Sequence, residues 1–245
     1  MKKLMFAAAV AAGLAAFGEG IESANTVGYA GSALDEDYGA VMIAPQFITP
    51  GSAADTISLG SIIPIGDPNS DLGYNIEIQK LNNAGESNEY DYTWDGTKWI
   101  ETITNEDASD VTLNACEGLW IFSMMGEAVS FQSCGQVGEN DVSALLDDDY
   151  GAAAVANGFP VAVKLNDLVL EADSEVDLGY NIEIQKLNNS GESTNFDYTW
   201  DGTQWIDTTT NVAASDDVVI APGEGLWVYN MTGEAVYLRF PAPEL

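Results

Sequence analysis

Histidine is missing from this sequence, and basic residues are scarce: Lys and Arg together number seven, against 39 Asp and Glu in 245 residues. Histidine is the usual base beside a Ser or Cys nucleophile and the commonest zinc ligand, so its absence argues against both kinds of site. Phosphate binding needs clustered Lys and Arg, which argues against a nucleic-acid partner. A net charge of −32 also disfavours binding to an anionic membrane surface.

Other catalytic patterns are missing as well. No glycine-rich phosphate loop stands between a predicted strand and a predicted helix, and no pair of carboxylates is distinguished by its sequence setting. The sequence therefore predicts a protein that is not an enzyme. Its acidity has two explanations, which the sequence leaves open: solubility in a salty or crowded exterior, or divalent cations that bridge the acids.

Long apolar runs are confined to the N-terminus. Two lysines precede an apolar run over residues 4–17, and Ala16 and Gly18 occupy the positions that a signal peptidase recognises before its cut. The run is shorter than the roughly 20 residues that span a bilayer. We predict a signal peptide over residues 1–18 and a secreted, extracellular or cell-surface location, with an uncleaved N-terminal anchor as the alternative. Cleavage would remove two lysines and no acid, which changes the net charge from −32 to −34.

Cysteine occurs only twice, as Cys116 and Cys134. In an exported protein such a pair suggests a disulfide. Alternating apolar stretches on both sides of a Met-Met-Gly turn predict a hairpin centred near Met125, in which the two cysteines would face each other. A bridge there would stabilise the fold by about 3 kcal/mol through restriction of the unfolded chain. The absence of a CxxC motif favours a structural bridge over a redox site.

One segment, DLGYNIEIQKLNN, occurs at residues 71–83 and again at 177–189. The two copies continue to match through a Trp-containing segment and a GEGLW segment. This tandem duplication predicts two domains, at residues 19–135 and 136–245, each large enough to bury a core. An apolar content of 46 % separates the chain from disordered acidic tails.

The hydrophobic pattern of each copy has a period of two. In NIEIQKL, for example, Ile76 and Ile78 alternate with Glu77 and Gln79, which is typical of a strand with one buried face. Each copy contains about six or seven such short strands between turn signals. The predicted fold class is therefore all-β, with two tandem β-sandwiches or small barrels.

A second pattern in each copy is an aromatic hairpin. The dipeptide Asp95-Gly96 predicts a type I′ turn with Tyr92 opposite Trp99. One face would carry only aromatic side chains, namely Tyr90, Tyr92, Trp94 and Trp99 in the first copy and Phe196, Tyr198, Trp200 and Trp205 in the second. We favour burial of this face, since each such side chain contributes about 1.5–3 kcal/mol when it is buried. An exposed platform that stacks on sugars is the alternative.

One loop in each copy carries oxygen-bearing side chains at alternate positions. They are Asp67, Asn69 and Asp71 in the first copy and Asp173, Glu175 and Asp177 in the second. Such side chains could converge on calcium, the one cofactor that the sequence suggests. The loops lack the Gly at the sixth position and the Glu at the twelfth of an EF-hand. Chance spacing in an acidic chain is the alternative.

The segment IESANTVGYA, at residues 21–30, and the GEGLW segment of each copy resemble those of secreted β-rich proteins of verrucomicrobial and lentisphaeral bacteria. Those proteins combine a signal peptide, a short NTVGY-like strand, a Trp-containing hairpin and a GEGLW or GEGFW strand. The resemblance implies export and a β fold. It supplies no functional residues.

Together these patterns predict a non-enzymatic structural or adhesive protein of the cell exterior. It could self-associate into a filament, sheath or surface layer through strand edges and divalent cations. Residues 23–30 could add a strand to a neighbouring subunit, with pairing inside their own domain as the alternative. The second hypothesis is a polysaccharide-binding module in which two copies provide avidity.

Overall fold

The computed structural model describes residues 27–34, 40–49, 56–80, 91–147, 152–187 and 196–243, with the backbone alone for residues 27–34 and 134. Within these ranges the regular structure consists of 21 β-strands and two short 3-10 turns. The predicted all-β fold is therefore confirmed. No described helix has the length and apolarity that crossing a membrane requires.

The first copy contains ten strands and one 3-10 turn. These are β1 (Val27–Leu34), β2 (Ala40–Ile43), β3 (Thr56–Ser58), η1 (Leu59–Ser61), β4 (Ile63–Ile65), β5 (Ile76–Lys80), β6 (Tyr92–Trp94), β7 (Trp99–Glu101), β8 (Thr112–Asn114), β9 (Leu119–Ser123) and β10 (Val129–Gln136).

The second copy contains eleven strands and one 3-10 turn. These are β11 (Val142–Leu146), β12 (Ala152–Ala156), β13 (Val163–Lys164), η2 (Leu165–Asp167), β14 (Val169–Glu171), β15 (Ile182–Lys186), β16 (Tyr198–Trp200), β17 (Trp205–Asp207), β18 (Val212–Ala213), β19 (Val219–Ile220), β20 (Gly225–Asn230) and β21 (Val236–Phe240).

Each copy arranges its strands into three antiparallel sheets with the same topology. The first copy has a large sheet β2-β9-β5-β6-β7, a small sheet β1-β10-β4 and the pair β3-β8. The second copy has β12-β20-β15-β16-β17-β18, β11-β21-β14 and β13-β19. Every strand of the first copy thus has a counterpart in the second copy, which adds β18 at the edge of its large sheet. The signal peptide lies outside the described residues, and its cleavage and the domain limits stay predictions.

The core of each copy is built from alternate residues of its sheets. Ile76 and Ile78 of β5 have no exposed surface, whereas Glu77 and Gln79 between them are half-buried on the opposite side of the sheet. The same cluster contains Val129 of the small sheet, so the two sheets enclose one core. The second copy repeats the arrangement with Ile182, Ile184, Leu226, Val228, Val236 and Leu238.

The register of the aromatic hairpin differs from the predicted one by two residues. Trp94, and not Tyr92, lies opposite Trp99. Asp95 explains the difference, because its Oδ1 accepts hydrogen bonds from the backbone nitrogens of Thr97 (2.7 Å) and Lys98 (2.9 Å) and stabilises a longer loop. A shift of two residues leaves every side chain on its predicted face, since the side-chain period of a strand is two.

The predicted hairpin around Met125 is wrong. The strands on either side of this turn belong to different sheets: β9 pairs with β2 and β5, whereas β10 pairs with β1 and β4. Both strands bury one face in the same core, so their apolar alternation is the same as that of a hairpin. Cys116 is buried, and burial raises the pKa of its thiol to about 12. The side chain of Cys134 lies outside the described residues, so the disulfide stays a prediction. The hairpin register that would have placed the two cysteines opposite each other no longer supports it.

Strand β1 pairs within its own chain. All eight of its residues lie opposite β10, from Val27 opposite Gln136 to Leu34 opposite Val129. Residues 23–26 lie outside the described residues. Residues 27–30 pair inside the chain in this structure, and the addition of residues 23–30 to a neighbouring subunit stays a prediction.

The two copies pack against each other beside their large sheets. Gly118 donates a backbone hydrogen bond to the carbonyl oxygen of Ala154 (3.2 Å), and Ala156 donates one to that of Cys116 (3.2 Å). Gly118 and Gly225 occupy equivalent GLW positions, and both approach Met42 closely. A Cβ atom on Gly118 would lie 2.9 Å from Met42 Sδ, and one on Gly225 would lie 2.4 Å from Met42 Cβ. Glycine at both positions therefore permits this contact, which we call the junction.

Candidate functional site

The aromatic hairpins turn their tryptophans into the cores. Trp99 and Trp205 have no exposed surface, and Trp94 is 7 % exposed. Each hairpin pairs two indoles edge to face with ring centroids 5.4 Å apart. Tyr92, Tyr198 and Trp200 are half-buried against the same cores, and Tyr90 lies outside the described residues. The described aromatic residues of this face other than Phe196 therefore agree with the predicted burial, and not with an exposed platform that stacks on sugars.

Phe196 is the exception among the predicted aromatic residues. It precedes β16, so the alternation of the strand does not fix its direction. Its ring packs edge to face on Tyr229, with centroids 4.9 Å apart. Tyr229 points away from the core, between the buried residues Val228 and Asn230. Phe196 thus lies on the outer side of the large sheet, not with Tyr198 and Trp200.

The oxygen-bearing loops use some of their acids to shape the backbone. Asp67 Oδ1 accepts hydrogen bonds from the backbone nitrogen (2.9 Å) and Nδ2 (2.8 Å) of Asn69, which lower the pKa of Asp67. Asp71 and Asp177 each accept one from the backbone nitrogen two residues later, at 3.0 Å. Such bonds are typical of Asx turns. They explain the acids at Asp67, Asp71 and Asp177 without a cation.

The remaining predicted ligands, Asp173 and Glu175, are exposed beside Asp177 in an open depression. In the ranges that the structure describes, no group of three His, Cys, Asp or Glu side chains could hold a metal ion. Calcium binding by these loops stays a prediction, and no geometry of the described residues adds support to it.

A different set of aromatic residues lies on the outer faces of the large sheets, and sequence analysis missed most of it. Trp120 and Phe122 alternate along β9 with buried core residues, and their ring centroids are 6.0 Å apart. Trp227 and Tyr229 occupy the equivalent positions of β20. Across the junction, the indoles of Trp120 and Trp227 lie 6.1 Å apart. We call Trp120, Phe122, Trp227, Tyr229 and Phe196 the junction cluster.

Polar side chains flank this cluster in the same order in both copies. On β5, Gln79 lies opposite Trp120 and Glu77 lies opposite Phe122. On β15, Gln185 lies opposite Trp227 and Glu183 lies opposite Tyr229. Residues that face each other across antiparallel strands project from the same side of the sheet. Each aromatic ring of β9 and β20 is therefore adjacent to an amide or a carboxylate.

Partial burial raises the pKa of three groups at this surface. Desolvation raises the pKa of the Glu77 and Glu183 carboxyls and is the main cause of the raised pKa of the Tyr229 phenol. The Tyr229 hydroxyl donates a hydrogen bond to Gln185 Oε1 at 3.2 Å, which fixes that pair. The cluster thus combines apolar ring faces with hydrogen-bonding groups in a partly desolvated surface.

This combination suits a ligand with both apolar faces and hydroxyl groups. Aromatic rings offer large flat surfaces, and amides and carboxylates together accept and donate hydrogen bonds with defined directions. Sugars present such alternation of CH faces and hydroxyls.

A signal for this site is present in the sequence. In LWIF and LWVY, residues 119–122 and 226–229, every position is apolar, whereas a sheet with one solvated face alternates apolar and polar residues. The neighbouring strands β2 (AVMI) and β12 (AAAVA) are fully apolar as well, so apolar residues lie on both faces of the large sheets near the junction. Comparison of the chain with protein-family models, curated proteins and solved structures gives no match.

Proposed function

We propose that this protein is a non-enzymatic adhesive protein of the cell exterior that binds polysaccharide through the junction cluster. The observation that carries the proposal is the contact of Trp120 with Trp227, which joins the rings of both copies into one series beside Gln79 and Gln185. The predicted signal peptide and the resemblance to exported β-rich proteins support the location.

The charges of the chain favour a neutral polysaccharide over an acidic one. After removal of the signal peptide, five basic residues remain, and four of them form ion pairs with acids. The pairs are Lys80–Glu117 (3.1 Å), Lys98–Asp107 (2.8 Å), Lys186–Glu224 (3.1 Å), and Arg239 with Asp141 and Glu171. An anionic ligand would compete with these acids and meet the repulsion of the whole chain.

The strand edges give less support to the filament hypothesis. Strand β4 is three residues long and contains Pro64, which cannot donate a backbone hydrogen bond. The edge of β7 is covered, because Glu101 donates to Glu106 and Ala108 donates to Trp99 through the backbone. Residues 27–30 pair inside the chain. Adhesion through a side-chain surface therefore accounts for more of the architecture than edge-to-edge polymerisation.

The test is binding of the chain from Glu19 onward to a panel of neutral and acidic polysaccharides, measured by affinity electrophoresis and tryptophan fluorescence. We expect retardation by at least one neutral polysaccharide and its loss in the double variant Trp120→Ala/Trp227→Ala. The control is Tyr74→Asn/Tyr180→Asn, which removes equally repeated aromatic rings that are 60 % and 62 % exposed outside the cluster. Asn tolerates the positive φ of both positions.

Two results would refute the proposal. One is the absence of binding to every neutral polysaccharide of the panel. The other is an equal loss in the cluster variant and in the control. Light scattering of the same samples, with and without calcium, measures self-association independently, so growth into large particles without glycan binding would favour the filament hypothesis instead.

A further inference from the structure

We infer that the two copies form one continuous binding site for a single linear, neutral polysaccharide chain, and not two independent sites. This inference rests on the proposed function. Duplicated binding modules normally act through avidity, in which each module holds its own ligand segment and a linker sets the effective concentration. The junction in this chain places the two halves in direct contact, which excludes that description.

The first argument is the continuity of the rings. Phe122 and Trp120 are 6.0 Å apart, and Trp120 and Trp227 are 6.1 Å apart. Tyr229 follows Trp227 on the same face of β20, where alternate residues are separated by about 6.6 Å. The step across the junction is thus as short as the steps within each copy. The ring planes are inclined to each other, by 60° between Trp120 and Phe122 and by 38° between Trp120 and Trp227, so a ligand that crosses the junction contacts neighbouring rings at different orientations.

The second argument is the order of the polar groups. Starting from the junction and moving into either copy, the series is a glutamine beside a tryptophan, then a glutamate beside a phenylalanine or tyrosine. Along the whole series the order is therefore Glu-Gln in the first copy and Gln-Glu in the second, so the two halves present the same hydrogen-bonding groups in opposite directions. A linear polysaccharide that crosses the junction meets the two glutamines at the centre and a glutamate at each end.

The third argument is that the junction is built for close approach. The position of a Cβ on Gly225 would be 2.4 Å from Met42 Cβ and 2.7 Å from the Met42 carbonyl oxygen, both of which belong to the other copy. The Cys116–Gly118 segment also donates to and accepts from the β12 backbone. Hydrogen bonds and glycine contacts together fix the spacing of Trp120 and Trp227, so the central step of the site does not depend on a flexible linker.

The experiment uses the chain from Glu19 onward and calorimetric titration with oligosaccharides of increasing length, cut from a neutral polysaccharide that binds. We expect one long oligosaccharide per protein chain and an affinity that rises steeply once the ligand can cross the junction. Trp120→Ala alone and Trp227→Ala alone should each weaken the long ligand by about tenfold or more and leave the stoichiometry at one.

A junction variant tests the spacing itself. Gly225→Ala forces Met42 and β20 apart, so it should weaken long oligosaccharides while short ones that occupy one half keep their affinity. If Gly225→Ala does not fold, Gly118→Ala is the second variant, since its nearest contacts include the flexible Met42 side chain. The Tyr74→Asn/Tyr180→Asn protein is the control and should match the parent at every ligand length.

The outcomes separate the inference from the proposed function. Two equal sites per chain, with each single Trp variant removing one of them, would overturn the inference and leave carbohydrate binding intact. An affinity that does not depend on ligand length beyond one half would overturn it as well. Absence of binding at all lengths would overturn the proposed function, and with it this inference.

Discussion

The duplicated indoles Trp99 and Trp205 provide a test of how these cores are stabilised, because they differ in one hydrogen bond. Both have no exposed surface. Trp99 Nε1 donates to the Ile62 carbonyl oxygen at 2.7 Å, whereas Trp205 Nε1 is buried and has no hydrogen-bond partner among the residues that the structure describes. Replacement by Phe removes the N–H and the same part of the ring at both positions. The loss of packing is therefore similar, and the difference reports the hydrogen bond.

The two replacements should have unequal costs. A buried hydrogen bond contributes about 0.5–1.5 kcal/mol net, and an unsatisfied buried donor costs about 1–3 kcal/mol. Trp99→Phe loses the contribution of the hydrogen bond and leaves the Ile62 oxygen without its indole partner. Trp205→Phe removes the cost of the unsatisfied buried donor. We expect Trp99→Phe to lower the free energy of unfolding by about 2 kcal/mol more than Trp205→Phe does.

Urea denaturation of the full chain, followed by circular dichroism, measures this difference. Ile78→Val and Ile184→Val are the controls, since both isoleucines are fully buried at equivalent positions and each should cost about 0.5–1.5 kcal/mol. Equal costs in the isoleucine pair show that the copies report stability alike. Equal costs in the tryptophan pair would refute the reasoning, because they would mean that the indole N–H of Trp205 is satisfied.

Three further predictions follow from single features of the structure. Burial raises the pKa of Glu77 and Glu183 in the folded state, so the folded protein keeps their protons to higher pH and loses stability as pH rises above about 4.3. Glu77→Gln and Glu183→Gln should therefore raise the melting temperature at pH 7 and leave it unchanged near pH 3. Tyr74 and Tyr180 have φ of 60° and 58°, so Tyr74→Gly should exceed Tyr74→Ala in stability by about 1 kcal/mol, and equal melting temperatures would contradict a left-handed backbone there. The Cys116 thiol is buried and its pKa is raised, so a maleimide should label Cys116 in urea but not in the native protein, as read by peptide mapping. Absence of labelling at Cys116 in urea would support the disulfide that the sequence predicts.

The fold class could be predicted because it depends on local periodicity. Ile76 and Ile78 alternate with polar residues, and an alternation of period two specifies which face of a strand is buried. Strand partners could not be predicted in the same way. The segments of β9 and β10 each bury one face, as the strands of a hairpin would, but which sheet each strand joins is decided by long-range contacts with β5 and β4.

The candidate site was less predictable than the fold. The hairpin aromatics were visible because Asp95-Gly96 marks their turn, yet Trp99 is in the core. The junction cluster depends on the contact of Trp120 with Trp227, which are 107 positions apart in the sequence. No local pattern encodes such a contact. The indirect sign was an apolar residue at every position of LWIF, which has no place in a strand with a solvated face.

The junction also changes what duplication achieves for this chain. Ile48, Ala115 and Cys116 of the first copy share one apolar core with Phe159 and other buried residues of the second copy. Fusion of the two copies raises the local concentration of each half around the other to about the millimolar range. Burial of this apolar surface and the covalent connection together hold Trp120 beside Trp227.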